Sequence, residues 1–344
     1  MQQVRQLKQF FFGILMMGIV AGVFGLSGCT ESSPTTVVSQ GSNDTGLVWT
    51  VQNSEFSGFD QLFSVTWTGN QLVGLGARYS DTSQFTSSLI MTSSNATTWA
   101  IPSSAVITNA SLNSVIWAGS QFVAVGVFYD SNTSLTFSFV MTSPTGAVWT
   151  PRTLQTSQAL LSVTWTGTQL VAVGNSNAIL TSADGITWRA QNPGISQLDL
   201  ASVIWTGTQV VAVGSNADDS GGVLTSPDGI HWTQRAVTAA QGLSSVIMAD
   251  SQLVAVGGAT ILTSKDKGVT WTNVLESNAV GQQPSIVFGD HTLIVTNYGN
   301  SMLISKDTGA IWTIAENPAY VGSLTWTGSQ FVGVTQNSGI VTSP

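Results

Sequence analysis

The sequence predicts an all-β chain, a seven-bladed β-propeller of four-stranded blades whose N-terminal strand completes the C-terminal blade and closes the ring. Three observations carry that prediction. One segment recurs seven times, at spacings of 38 to 50 residues. Each repeat holds four short β-branched runs broken by Gly, Asn, Asp or Ser, and nothing after the N-terminal segment keeps a helical period. The last repeat stops after its third run, and an unmatched fourth run stands near the start.

The recurring segment reads Ser64-Val65-Thr66-Trp67, Ser114-Val115-Ile116-Trp117, Ser162-Val163-Thr164-Trp165 and Ser202-Val203-Ile204-Trp205. Looser copies at Ser245-Val246-Ile247-Met248 and Ser285-Ile286-Val287-Phe288 precede a restored Ser323-Leu324-Thr325-Trp326. A Gly-containing turn follows most copies. The second run, as in Leu170-Val171-Ala172-Val173-Gly174, is apolar at successive positions, so its strand is covered on both faces. A third run, Ala178-Ile179-Leu180-Thr181-Ser182, leads to Asp184-Gly185-Ile186-Thr187-Trp188 and the fourth. Ile340-Val341-Thr342-Ser343 ends the final repeat, and Gly46-Leu47-Val48-Trp49-Thr50 supplies its missing strand. That pairing removes two open sheet edges. The propeller is therefore placed at 46–344.

Composition bounds the function. The chain has 344 residues, 42% hydrophobic and 8% charged, which excludes disorder. A formal charge of −8 excludes a nucleic-acid surface, which needs a basic stripe. A single Cys excludes both a disulfide framework and a Cys-based zinc cluster. Residues 1–9 carry Arg5 and Lys8 and no acid, and an uncharged apolar run from Phe10 to Leu26 follows. This reads as a secretory signal or, at 17 residues, a short anchor helix. Leu26-Ser27-Gly28-Cys29 resembles the bacterial lipobox. That resemblance implies removal of 1–28, a lipidated Cys29 that holds the protein to a membrane, and a polar tether over 29–45. Thr30 then implies outer-membrane sorting in a Gram-negative host.

The turns between third and fourth runs carry a second resemblance. Ser264-Lys265-Asp266-Lys267-Gly268-Val269-Thr270-Trp271 is similar to the Asp-box, or BNR, repeat. Near matches hold Asp44 with Trp49 and Asp307 with Trp312, and turns one residue shorter hold Asp184 with Trp188 and Asp228 with Trp232. In the first two blades Asn95 and Thr145 replace the Asp while Trp99 and Trp149 remain. Physically, a short Asp can accept N–H bonds within its own turn, and Gly can take a positive φ. The twelve tryptophans, seven in these turns and five on first strands, are read as core.

Asp-box propellers include sialidases, whose resemblance would imply three converging Arg side chains. Arg152, Arg189 and Arg235 instead follow a blade Trp by one to three residues, on outermost strands, leaving only Arg78. Sialidase activity is therefore not expected. Another glycosidase would need only two nearby carboxylates. Nine acids (Glu55, Asp60, Asp81, Asp130, Asp199, Asp218, Asp219, Glu276, Glu316) map to the face opposite the Asp turns. That end should favour cationic partners. Its second-to-third loops are longest in the first two blades, where Arg78, Tyr79 and Asp81 stand beside Phe128, Tyr129 and Asp130 as the candidate ligand-binding group. A pair of hairpins whose aromatics pack on each other explains the same residues.

Weaker signals add no chemistry. Asp218-Asp219-Ser220-Gly221 is short of a calcium loop, and His231 and His291 lie in separate turns without a visible His partner. Gln71, Gln121, Gln169, Gln209, Gln252 and Gln330 recur at one repeat position, which predicts a structural hydrogen bond. No cofactor, metal or catalytic residue is expected. The reading is a monomeric, lipid-anchored envelope propeller that binds a protein, peptide or glycan, with a glycosidase as the alternative. The chain also resembles propeller lipoproteins related to photosystem II assembly factors, but it lacks their Arg-rich face.

Overall fold

The computed structural model describes residues 47–52, 60–79, 85–102, 106–130, 132–133, 135–154, 156–195, 198–281, 283–296, 299, 301–316, 320–335 and 339–343. These residues form seven antiparallel sheets, the blades of a β-propeller, in which sequence neighbours pair with one another. Blades 1 to 6 span 60–100, 110–153, 160–190, 198–235, 245–276 and 285–316, and blade 7 combines 321–343 with Thr50–Gln52. Among the described residues the only helical element is a 3-10 turn, Asn278–Val280. The first strand of each blade meets the first strands on either side, so it is the innermost.

Ring closure is as the termini predict. Thr50, Val51 and Gln52 pair with Thr342, Val341 and Ile340, and the Gln52 amide donates to Thr342 Oγ1 at 3.0 Å. Trp49 is buried against Ile294 and Met302 of blade 6.

The core lies between the blades. All five residues of Leu170–Gly174 are buried, because each middle strand has a neighbouring blade on both sides. Val73, Leu75 and Ile90 of blade 1 pack on Leu112, Val115 and Phe122 of blade 2. The same arrangement continues round to Val332, Val334 and Ile340 of blade 7 against Leu62, Val65 and Leu89 of blade 1.

The structure explains why the second run so often ends in Gly. In blades 1, 2, 3, 4 and 7 the inner strand carries a bulge of one extra residue. Three of these bulges press their carbonyl oxygens onto the next strand. A Cβ on Gly126, Gly174 or Gly214 would lie 2.0, 1.8 or 1.9 Å from the carbonyl oxygen of Ser111, Ala159 or Asp199. Only glycine fits.

Blade 1 is the reduced member of the ring: its fourth strand is a single antiparallel bridge, in which Thr92 and Ala100 exchange two 2.9 Å backbone bonds beside a three-stranded sheet. Pro102, which has no N–H to give, then stops the pairing. The tryptophans, all read as core from the sequence, are not equally covered. Trp49, Trp149 and Trp232 of the turns are buried, and Trp99, Trp188, Trp271 and Trp312 of the turns are half-buried. So are the first-strand Trp67, Trp165, Trp205 and Trp326, and Trp117 is 37% exposed. These last five close the ends of the innermost strands, where no further layer covers them.

Candidate functional site

Antiparallel alternation puts the first hairpins and the third-to-fourth turns at one end of the ring. The turn end repeats one hydrogen-bond scheme. In blade 3 the N–H groups of Ile186 and Thr187 donate to Asp184 Oδ1 at 2.8 and 2.7 Å. Ser182 Oγ accepts from Gly185 N–H at 2.9 Å, and the Trp188 indole donates to Gly185 O at 3.0 Å. Asp228, Asp266 and Asp307 do the same in blades 4 to 6. Asn95 keeps the scheme with its amide oxygen, accepting from Thr97 and Thr98 at 3.0 and 2.9 Å. Thr145 takes one long bond, from Ala147 at 3.3 Å.

These contacts hold the carboxylates ionised. The N–H groups of Thr187 and Ile186 draw Asp184 below the usual carboxylate range. The Thr270 hydroxyl and N–H bring Asp266 to about 2. The Ile311 N–H and Ser305 hydroxyl lower Asp307. Partial burial opposes ionisation of Asp228, yet bonds from the His231 N–H and ring and the Ile230 N–H outweigh it.

The recurring glutamines are latches between blades. Gln121 and Gln169 donate to the carbonyls of Asp184 and Asp228 in the next blade at 2.7 and 2.5 Å. Gln209 and Gln252 reach the carbonyls of Lys267 and Thr308 in the same way.

At the opposite, loop end the blades are individual. Blade 2 has strands of nine residues, Phe122–Asp130 and Leu135–Ser143, where blade 3 has Leu170–Gly174 and Ile179–Ser182. Phe128 packs on the blade 1–blade 2 core, 6.1 Å from the Phe139 ring, so it is a foundation of the hairpin. Tyr129 is half-buried, its N–H bonded to Asn109 O at 2.8 Å. Asp130 caps its own turn, accepting from Asn132 N–H and Thr133 Oγ1 at 2.9 and 2.8 Å, and the Thr133 hydroxyl is the main cause of its lowered pKa. On blade 1 Arg78 is half-buried, opposite Asp60 and Ser87 in the sheet, and Tyr79 ends its strand. Asp81 of this group lies outside the described residues, as do Asp44 and Cys29.

The other loop-end acids are also engaged. Asp199 Oδ1 accepts from Ser176 N–H at 2.6 Å. Asp218 accepts the Ser220 hydroxyl at 2.5 Å, which with the Ser220 N–H pulls its pKa down. Glu276 accepts from the Asn273 amide at 3.1 Å.

Sequence reasoning missed a cleft at the turn end between blades 5 and 6, about 400 Å³, lined by Asp250, Gln252, Lys265 and Asp307. His291 lies 3.7 Å from Asp250 at the same boundary. The signal was present: these two first hairpins carry Asp where the other blades carry the Gly of Trp-Thr-Gly or Trp-Ala-Gly. Among the described residues no group of three or more His, Cys, Asp or Glu is placed to hold a metal ion.

No protein-family model matches the sequence, and no curated protein matches it. Solved structures do. A catalytically inactive virginiamycin B lyase from Staphylococcus aureus with quinupristin is similar at a TM-score of 0.69 and 12% identity, covering 86% of this chain and 99% of that one. YCF48 from Cyanidioschyzon merolae is similar at 0.61 and 16% identity over 86% and 98% of the two chains. YCF48 bound to a D1 peptide gives 0.62 and 15% identity over 86% and 96%. At such identities the likeness establishes the propeller fold alone.

Proposed function

We propose that this chain is a lipid-anchored, non-enzymatic binding propeller of the bacterial envelope. Its signal segment 1–28 is removed, Cys29 is lipidated, 29–45 tethers the ring, and the third-to-fourth turns are Asp-boxes. In a Gram-negative host it sits at the outer membrane. The loop end holds a protein, peptide or glycan, first of all at the blade 1 and blade 2 loops. There Arg78, Tyr79, Asp81, Tyr129 and Asp130 meet the ligand, with Phe128 beneath them.

The state of the loop-end carboxylates carries this reading. A glycosidase needs one carboxyl kept protonated by a raised pKa. Asp130 and Asp218 move the other way, Asp199 is occupied by the blade 3 loop through Ser176 N–H, and Glu276 by Asn273 of its own strand. Such groups suit recognition of a cationic or hydrogen-bonding ligand. A neighbour of the same fold bound to a D1 peptide gives further support.

The test is alanine at each of the nine loop-end acids, followed by peptide-binding and glycan-hydrolysis assays. Graded, salt-sensitive loss of binding is expected. A hydrolytic activity abolished by just two of the changes would install the glycosidase instead. For the anchor, Cys29→Ala should leave the protein uncut and unlipidated. A variant processed and membrane-bound as before would overturn that part.

A further inference from the structure

The turn end carries features that its repeated hydrogen bonds do not require. Val48, Val148, Ile186, Ile230, Val269 and Ile311 stand one or two residues before a blade Trp, one in each of six blades, and are between 40% and 70% exposed. The turn uses the backbone of such residues: Ile186, Ile230, Val269 and Ile311 give only their N–H to the Asp. Blade 1 makes the same bonds with Thr97 and Thr98. A polar side chain would serve, yet six blades present an aliphatic one to solvent. These six side chains stand apart, one to a blade around the rim, a spacing that suits a flat, extended partner better than a small ligand.

Charge separates the two ends as well. Every lysine and histidine after residue 29 (Lys265, Lys267, Lys306, His231 and His291) lies at the turn end. There Lys265, Lys267, Lys306 and Arg189 offset most of Asp184, Asp228, Asp250, Asp266, Asp290 and Asp307. At the loop end, among the described residues, Asp60, Asp130, Asp199, Asp218, Asp219, Glu276 and Glu316 stand against Arg78. Finally, the chain enters the ring at this same end: Leu47 and Trp49 precede Thr50, which pairs with Thr342 near the close of blade 7.

We propose that the turn end is a bilayer-contacting face, its aliphatic rim resting in the headgroup layer with the lysines on phosphate, while the loop end points away. This rests on the anchored reading, since an anchor confines the ring near lipid. The leaflet's negative potential repels the acidic loop end and so orients the ring. The acyl chains on Cys29 supply the attachment, and contact by the ring adds to it while fixing which end meets the lipid.

The experiment uses the full, membrane-attached chain in phosphatidylcholine–phosphatidylglycerol vesicles containing nitroxide-bearing lipids. A fluorophore is placed on Thr187→Cys at the turn end or on Leu135→Cys at the loop end. Strands of six to nine residues set the two ends about 20–30 Å apart. Strong quenching is expected at 187 and none at 135, and the triple change I186S, I230S and I311S should abolish the quenching at 187 while vesicle flotation persists. Equal quenching at both sites, or quenching at 187 that survives the triple change, would overturn the proposal. So would a face-to-face dimer with the 187 labels in contact. Failure of the anchor reading appears separately, as flotation and processing unchanged by Cys29→Ala, and leaves the contrast between labels readable.

Discussion

The two ends of this ring are made by the same strands yet held in opposite ways. At the turn end one scheme recurs from blade to blade: Ser and Asp bind the turn, Trp closes it, and Gln ties it to the blade before. At the loop end each blade finds its own solution, with Asp130 capping one hairpin, Asn216 and Asp218 another, and Asp199 bridging to Ser176. A hydrogen bond that recurs in many blades cannot belong to one ligand site, so its repetition marks the scaffold. Departure from the repeat marks where the sequence is free to serve something else.

The largest test of that division removes the closure both ends share. Deleting 46–52 takes away Trp49, whose truncation alone would cost about 3–5 kcal/mol, and reopens two sheet edges. Loss of cooperative thermal unfolding is expected by calorimetry, and an unchanged melt would mean the ring is not held by its ends.

Next is Gly174→Ala. The new Cβ meets the Ala159 carbonyl at 1.8 Å, and backbone cannot swing aside as a side chain can. A loss of about 2–3 kcal/mol in denaturant unfolding is expected, at the upper end of overpacking costs. Gly167→Ala is the control. It sits at φ +93° with nothing within 4 Å of its Cβ, so it feels only the backbone strain of a left-handed L-residue, about 1–2 kcal/mol.

A smaller effect separates the turn chemistry from charge. Asp184→Ala removes the acceptor of the Ile186 and Thr187 N–H groups, which water then takes over, and should cost about 1 kcal/mol. Asp184→Asn should lose far less, because Asn95 already fills this role in blade 1. Equal losses for the two variants would show that the charge, rather than the acceptor geometry, holds the turn.

Much of this was legible beforehand because repetition makes a weak local signal strong. Seven copies of a short apolar run fixed blade number, strand order and the closing strand, and six glutamines in register announced a shared bond. Where legibility failed, the cause was contact between positions distant in the chain. The bulge that forbids a Cβ on Gly126, Gly174 and Gly214 is invisible until inner and middle strands are paired. That Ile186 stands in solvent just as Thr97 does, instead of turning inward as an apolar residue would be expected to, shows only once the turn is built. The loop end was legible only as composition: nothing in Asp130 or Asp218 says that its own turn already occupies it.

The finest contrast between the ends is their response to acid. The unfolded chain binds a proton to Asp at about pH 3.9, while folded Asp266 does so only near 2. A depressed folded pKa contributes stability that is complete above the unfolded value and drains away as pH falls through the folded one. Asp184, Asp228 and Asp307 shift in the same direction, so the turns should lose stability together as pH falls from about 4 to about 2. Urea midpoints across that window should fall less steeply in Asp266→Asn than in the unaltered chain, with the two converging at the acid end. Asp130→Asn should leave the slope nearly unchanged, because that carboxylate orders an exposed hairpin whose fraying does not open the ring. If Asp130→Asn flattens the slope as much as Asp266→Asn does, the loop end carries as much of the fold's stability as the turn end.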